Sequence, residues 1–573
     1  MYSYKQLASA ILAFSSIASA LPGSLIERDT ACTNTATSRQ CWTNGFSTST
    51  QADTKFPDTG KTVKVNLQVG EATLSPDGNA KKMMVFNGQY PGPAIVADWG
   101  DTIQITVTNN LPINGTGIHW HGMRQLHSNQ MDGTNGITEC PIVPGGSRTY
   151  TFKATQYGTS WYHSHYSVQY GDGLVGPIVI NGPTTANYDI DLGALPLTDW
   201  YSEPMFELLA SRPTVPPTSQ SILVNGTGPQ APSTIKFTPG KAHLIRVVNT
   251  GINNNFHFGI DQHKMQVVAV DFVPVTPFTV DTLNIAVGQR YDVIVNANQT
   301  VANYVFRIGT GGGVCDGPNA QASAGTTTGA IVSYDGAGSG APTSQALTLP
   351  SGCDDVTGIN TFISTTVPSP PSAPQALALT LDTSVGVFWK VNGQSIDIDW
   401  TKPTLSYVMN GTYTLPANDN GVVINAAGWS YFLITNDTPL PHPIHLHGHD
   451  FYVIASGTGA GTSPTYTLNN PVRRDTQQIP GNNGTPGQGG YIVIAFQADN
   501  PGAWLMHCHI PFHISGGLGV QFVERPSEIV GSLGDTSIFT DGCNAWNAPA
   551  NVKVIEPQPD SGLKMRKRTV RHY

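Results

Sequence analysis

Apolar and polar residues alternate with a period of two along much of the chain. Val63, Val65, Leu67 and Val69 occupy every second position, as do Ile103, Ile105 and Val107, and then Tyr150 and Phe152; Gly, Asn, Asp or Pro bounds each run. Successive side chains of a strand point to opposite faces, so these runs predict strands with one buried face. The pattern returns at 244–248, 291–295, 431–435 and 491–496, with Gly/Pro/Ser-rich breaks at 336–342 and 367–375. It predicts an all-β chain of three β-sandwich domains, at roughly 29–183, 184–366 and 367–563.

Composition sharpens this picture. The 573 residues include 61 Gly and 42 Pro and only 12% charged residues, which argues against long helices. The length calls for three or four domains at ~150 residues each. The formal charge is −9 and no basic stripe interrupts the body of the chain, which excludes nucleic acid as a partner. Residues 1–20 read as an export signal: Lys5, an apolar run over 7–17, then Ala18-Ser19-Ala20. Residues 21–28 read as a propeptide, and 564–573, with five basic residues, as a C-terminal propeptide. Removing both leaves −15, since 1–28 carry one net positive charge and 564–573 carry five. No later stretch reaches ~18 uninterrupted apolar residues, so the expectation is a secreted, extracellular protein with no membrane contact. Sequons at Asn114, Asn225, Asn298, Asn410, Asn436 and Asn483 fit that route.

Seven cysteines leave one unpaired. Cys508 is the candidate, because it stands between His507 and His509, where a thiolate suits a metal better than a bridge. The other six allow fifteen pairings by count alone.

Ten of the sixteen histidines fall in four tight clusters: His119 and His121; His163 and His165; His442, His445 and His447; and His507, His509 and His513. Each contains a His-x-His pair. One such pair in a β-protein is ordinarily a surface or satisfied pair, but four are not. Residues i and i+2 of a strand share a face, so four pairs offer eight imidazoles to neighbouring ions, leaving His442 and His513 beside Cys508. Cys with two His is the ligand set of a trigonal copper site that transfers one electron. Zinc would account for only three or four ligands.

In these four motifs, their order and their spacing, the sequence resembles the multicopper oxidases, and most closely the laccases of filamentous fungi. The resemblance covers nearly the whole mature chain and implies three cupredoxin-like Greek-key domains and four copper ions. By that resemblance His442, Cys508 and His513 are the ligands of a type 1 copper and His119 and His445 of a type 2 copper. His121, His163, His165, His447, His507 and His509 would hold two type 3 coppers. The implied reaction takes single electrons from four small phenolic or aromatic donors and reduces O₂ to two waters, with Cys508 and its neighbours as the conduit. Asp132 matches the carboxylate that the family places by the cluster, although an Asp-Gly is first of all a turn. Leu518, ten residues after Cys508, stands where many blue-copper sites carry a weak axial Met, and its lack of a donor should raise the potential. Asp560-Ser561-Gly562-Leu563 resembles the processed ending of ascomycete laccases. The implied disulfides are Cys32–Cys41, Cys140–Cys543 and Cys315–Cys353.

One position departs from the family. Laccases that prefer phenols carry Asp or Glu in the second domain just before the strand that here reads 256–260, and this chain has Asn253 there. An amide cannot take the phenolic proton. The competing enzyme readings are a ferroxidase, usually membrane-anchored, and an ascorbate oxidase, usually with axial Met; this chain shows neither feature. A copper-binding secreted protein without turnover and a structural cell-wall glycoprotein are the readings from other classes. The expected assembly state is a monomer.

Overall fold

The computed structural model describes residues 32–549, apart from 212–214, 314, 385 and 483. The export signal, both propeptides and the 560–563 ending lie outside the described residues. The strands form six sheets, packed in pairs as three successive sandwiches. The longest described helix, Ser537–Asn547, has 11 residues, as the Gly and Pro content requires.

The three sandwiches repeat one strand order. In the third, a six-stranded sheet runs Phe388–Val391, Gln375–Asp382, Gly428–Asn436, Gly490–Ala498, Phe451–Thr458, Val472–Arg474. Its five-stranded partner runs Gly421–Ile424, Gly519–Glu524, Gly502–Cys508, His442–Leu446, Thr476–Ile479. The second sandwich repeats both orders strand for strand. The first keeps four strands in each sheet and lacks counterparts of the strands 451–458, 472–474 and 476–479. Every strand predicted from the two-residue alternation is present, at Thr62–Leu74, Thr102–Asn109, Ser147–Lys153, Ala242–Asn249, Arg290–Asn296, Gly428–Asn436 and Gly490–Ala498.

Each sandwich encloses its own apolar core: around Trp99, Trp120 and Tyr150 in the first, Phe256, Phe258 and Tyr291 in the second, and Phe432, Phe496 and Trp504 in the third. A further cluster joins the first and third through Ile137, Tyr166, Ile398, Trp400, Leu505 and Trp546. Burying one such side chain contributes about 1.5–3 kcal/mol, so this seam is a stable contact. The Cys140–Cys543 disulfide closes it across 403 residues of sequence. Cys32–Cys41 and Cys315–Cys353 are also bonded, and Cys508 is free and buried. All three implied pairings are therefore present.

Register aligns the repeats residue by residue. His119 pairs with His163 in the first, His445 with His507 in the third, and His257 with Gly309 in the second. Two positions on, the outer repeats have His121, His165, His447 and His509, whereas the middle one has Gly259 and Gly311.

Candidate metal centre

The first histidine of each pair lies on a strand, and the strand ends before the second: Ile118–Trp120, Gly158–Ser164, His442–Leu446 and Gly502–Cys508. The paired imidazoles therefore diverge at the strand ends and join different groups. His119, His121 and His445 converge; so do His121, His163 and His509; and so do His165, His447 and His507. Exchange of the first and third repeats maps the second triad onto the third. The same exchange relates two ring stacks, His119 on His447 and His121 on His445, each with centroids 3.8 Å apart.

Carbonyl and carboxylate partners fix which ring nitrogen carries the proton. His119 Nδ1 donates to the Asp132 carbonyl (2.9 Å), His445 Nδ1 to the Asp475 carbonyl (2.9 Å), His163 Nδ1 to the Ser164 carbonyl (3.0 Å) and His507 Nδ1 to the Cys508 carbonyl (2.8 Å). His447 Nδ1 donates to Asp132 Oδ2 (2.9 Å) and His121 Nε2 to Asp475 Oδ1 (3.2 Å). The opposite nitrogen of each ring is then a bare lone pair. His119 Nε2, His163 Nε2 and His445 Nε2 are buried without a hydrogen-bond partner, and the His447 and His507 lone pairs face each other at 3.2 Å. Each unsatisfied buried polar atom costs about 1–3 kcal/mol, so a handful would consume much of a typical 5–15 kcal/mol stability. A bound cation removes that cost, and anchoring the far N–H on an oxygen is how proteins orient metal-ligating histidines. Burial pushes the ring pKa values of His121, His163, His165, His447, His507 and His509 well below the usual range, leaving neutral, ligand-ready imidazoles.

A separate group surrounds the free cysteine. Cys508 Sγ lies 3.5 Å from His442 Nδ1 and 3.4 Å from His513 Nδ1, and the two nitrogens are 3.1 Å apart. His442 Nε2 donates to Thr438 Oγ1 (2.8 Å), whose own hydroxyl donates to Asn436, so His442 Nδ1 is a lone pair. Burial lowers the His442 pKa to about 3 and that of His513 well below its usual range. Burial also pushes the Cys508 thiol up, so a thiolate here needs a cation beside it. The ring of Trp389 packs 4.2 Å from His513 and 4.8 Å from His442. Leu518 is buried in the same apolar cluster, its N–H donating to the His513 carbonyl and its carbonyl accepting from Cys508 N–H.

Two buried carboxylates flank the histidines. Asp132 Oδ2 accepts from Thr134 Oγ1 (2.6 Å) as well as from His447. Asp475, where the chain passes from one sheet of the third sandwich to the other, repeats this arrangement with Thr476 (2.9 Å), His121 and His445. Burial alone would raise Asp475, but Arg290 and His121 outweigh it and hold the carboxyl well below the usual carboxylate range. Burial would raise Asp132 too, but its contacts with His119, Thr134 and His165 together outweigh it and lower the carboxyl.

Three family models, each described as multicopper oxidase, match residues 68–185, 192–337 and 381–528. The chain belongs to the multicopper oxidases. Among relatives of this oxidase, Laccase-1 of Botryotinia fuckeliana is 45% identical, with 98% of this chain and 99% of that protein covered. A laccase of Neurospora crassa is 43% identical, covering 93% of this chain and 89% of that protein. The crystal structure of the laccase from Botrytis aclada has a TM-score of 0.85 at 40% identity, covering 93% of this chain and all of that one. Membership brings four coppers, one type 1, one type 2 and two type 3, and the lone-pair-lined groups fit such ions.

The oxidase also shows where Asn253 lies. Its loop joins the strands Ala242–Asn249 and Phe256–Ile260, and Tyr170 Oη bridges it to the cluster by donating to the carbonyls of both Gly251 and His509 (3.1 Å each). Beneath Asn253 lies a carboxylate that sequence reading missed. Asp199 accepts from the N–H groups of Ile252 (2.5 Å) and Asn253 (3.0 Å) and from Tyr201 Oη (3.3 Å), and burial raises its pKa to about 6. Asp475, Arg290 and Thr476 were missed too; nothing local in the sequence marks them.

Proposed function

We propose that this oxidase is a laccase that oxidises small phenolic and related aromatic donors one electron at a time and reduces O₂ to two waters. One observation carries the reading: Cys508, grouped with His442 and His513, is bonded through the backbone to His507 and His509, which belong to the two different triads. His442, Cys508 and His513 would hold type 1 copper, His119 and His445 type 2, and the triads His121/His163/His509 and His165/His447/His507 one type 3 copper each. Copper, when bound, supplies the one-electron steps and the reduction of O₂. The chain supplies the rest. Cys508 gives the shortest covalent route from the donor side to both triads. Phe512, next to His513, packs against Tyr201 and the Ile252 cluster, forming an apolar wall for an aromatic donor. The Asp132 carboxylate, one oxygen of which has no hydrogen-bond partner, stands beside His119 and His447 to hold and release protons.

The relatives named above are laccases, which favours this reading over a ferroxidase or an ascorbate oxidase. A secreted, monomeric protein is part of the proposal, its secretion supported by the signal-like residues 1–20; among the described residues no helix is long and apolar enough to cross a membrane. An oxygen electrode tests the function. Oxygen uptake should follow a methoxyphenol, and Cys508→Ser should abolish both the uptake and the blue colour. Uptake driven by Fe(II) but not by phenols would overturn the proposal in favour of a ferroxidase.

A further inference from the structure

We propose that Arg290, from the one repeat without a histidine cluster, is the positioning residue that keeps the type 2 end of the copper cluster assembled. The proposal rests on the copper reading above. Arg290 is fully buried and touches all three sandwiches. Its Nε donates to the Thr159 carbonyl of the first (3.0 Å) and its Nη1 to the Gly288 carbonyl of the second (3.2 Å). Both Nη atoms close a fork on Asp475 of the third, at 2.6 Å each.

Two carboxylates in equivalent settings are fixed in different ways. Asp132 and Asp475 each hold one type 2 histidine through the backbone carbonyl and one type 3 histidine through the carboxylate. Asp132 is fixed locally, at the end of the turn Asn129–Met131, followed by Gly133 at φ 79° packed directly on the Ile118 carbonyl. Asp475 has no such turn. It sits in the single-residue gap between Val472–Arg474 and Thr476–Ile479, strands of different sheets. The middle repeat does the fixing: Arg290 clamps the carboxylate, and Asp271 accepts from Asp475 N–H (3.1 Å). A planar fork matches a carboxylate in both position and direction, which a lysine ammonium does not.

Removing the clamp should free Asp475 and, with it, His445 and His121. The type 2 ion, with only His119 and His445 as ligands, should leave first. Loss of such an outer-shell partner typically weakens metal affinity by about 10–100-fold. The test is copper content and spectroscopy on purified Arg290→Gln, Arg290→Lys and the parent. Expected for Arg290→Gln is about three coppers per chain, a lost type 2 paramagnetic signal and an intact blue type 1 band, with partial recovery in Arg290→Lys. Should Arg290→Gln fail to fold, Asp475→Asn breaks the same pair from the other side and should deplete the same ion. Equal loss of all four coppers together with the blue band would mean a general structural role and overturn the proposal; so would full retention of type 2 copper in a folded variant. A parent that holds no blue copper would instead overturn the proposed function.

Discussion

The middle repeat and the two outer repeats share strand order and register, yet only the outer ones gather histidines around lone pairs. At four equivalent positions the outer repeats have His119, His121, His163 and His165, and His445, His447, His507 and His509; the middle repeat has His257, Gly259, Gly309 and Gly311. Where the outer repeats face each other, the middle one is covered by its own chain. Leu347 packs on Gly259, Leu349 on Gly309 and the Gly352 carbonyl on Gly311, and His257 Nε2 donates to that carbonyl (2.7 Å). The Cys315–Cys353 disulfide fastens this strap. Metal capacity in this fold thus depends on a few strand-end side chains and on what covers them, while the scaffold stays constant. The middle repeat gives up its own site and serves its neighbours: through Arg290 and Asp271, and through Gly288, at φ 89°, where a Cβ would come within 3.0–3.2 Å of the His509 and His121 rings.

The strap gives the largest expected effect. Gly311→Val would drive its side chain into the Gly352 backbone, which cannot swing aside as a side-chain end can. Overpacking of this kind costs about 1–3 kcal/mol or more, and scanning calorimetry should show a lowered unfolding transition. Gly309→Ala meets only the tip of Leu349 at 3.2 Å and should cost less. Equal losses would break the idea that the strap backbone seals the face.

Burial acts on Asp199 of the middle repeat and on Asp475 of the third with opposite outcomes. Asp199 has backbone N–H groups and a tyrosine hydroxyl as partners, and its pKa is raised to about 6; Asp475 has a guanidinium and is lowered. For a raised carboxyl the stabilising contribution is complete below the unfolded-state pKa of 3.8 and is lost as pH rises through about 6. At about 1.4 kcal/mol per unit, the loss is about 3 kcal/mol. Asp199→Asn does not titrate, so its stability deficit against the parent should shrink by up to about that amount between pH ~4 and pH ~7 in urea unfolding. A deficit independent of pH would remove Asp199 as a buried titrating group.

Two smaller effects sharpen the donor side. Leu518→Met should lower the type 1 potential by adding a weak donor to Cu(II), read by redox titration; an unchanged or higher value would exclude Leu518 as the axial neighbour. Asn253→Asp should raise kcat/KM for phenols, by less than the ~10²-fold of a well-placed general base, with little change for a non-phenolic donor. An equal change for both donors would show that residue 253 does not serve the phenolic proton.

The legible parts of the molecule were those written locally. Strands such as 62–74 and 147–153 announce themselves by alternation, and the metal groups by His-x-His pairs, because strand ends bring sequence neighbours to one place. Asp475 lies 30 residues from His445, and Arg290 in another repeat altogether; only tertiary packing brings them to the cluster. The middle repeat was legible as a third cupredoxin-like domain, but its residue-by-residue match to the outer two was not. Its glycines erased the histidine signature, and the shared strand register became visible only in the assembled sheets.

The Cys140–Cys543 bridge sets an order of events during synthesis. At about 5–20 residues per second, Cys140 waits roughly 20–80 s for its partner to be made. His119, His121, His163 and His165 wait nearly as long for the histidines of the third repeat. The emerging chain therefore carries half a metal centre and an unpaired thiol through most of its translation, and the complete copper cluster can assemble only after the last sandwich has folded against the first.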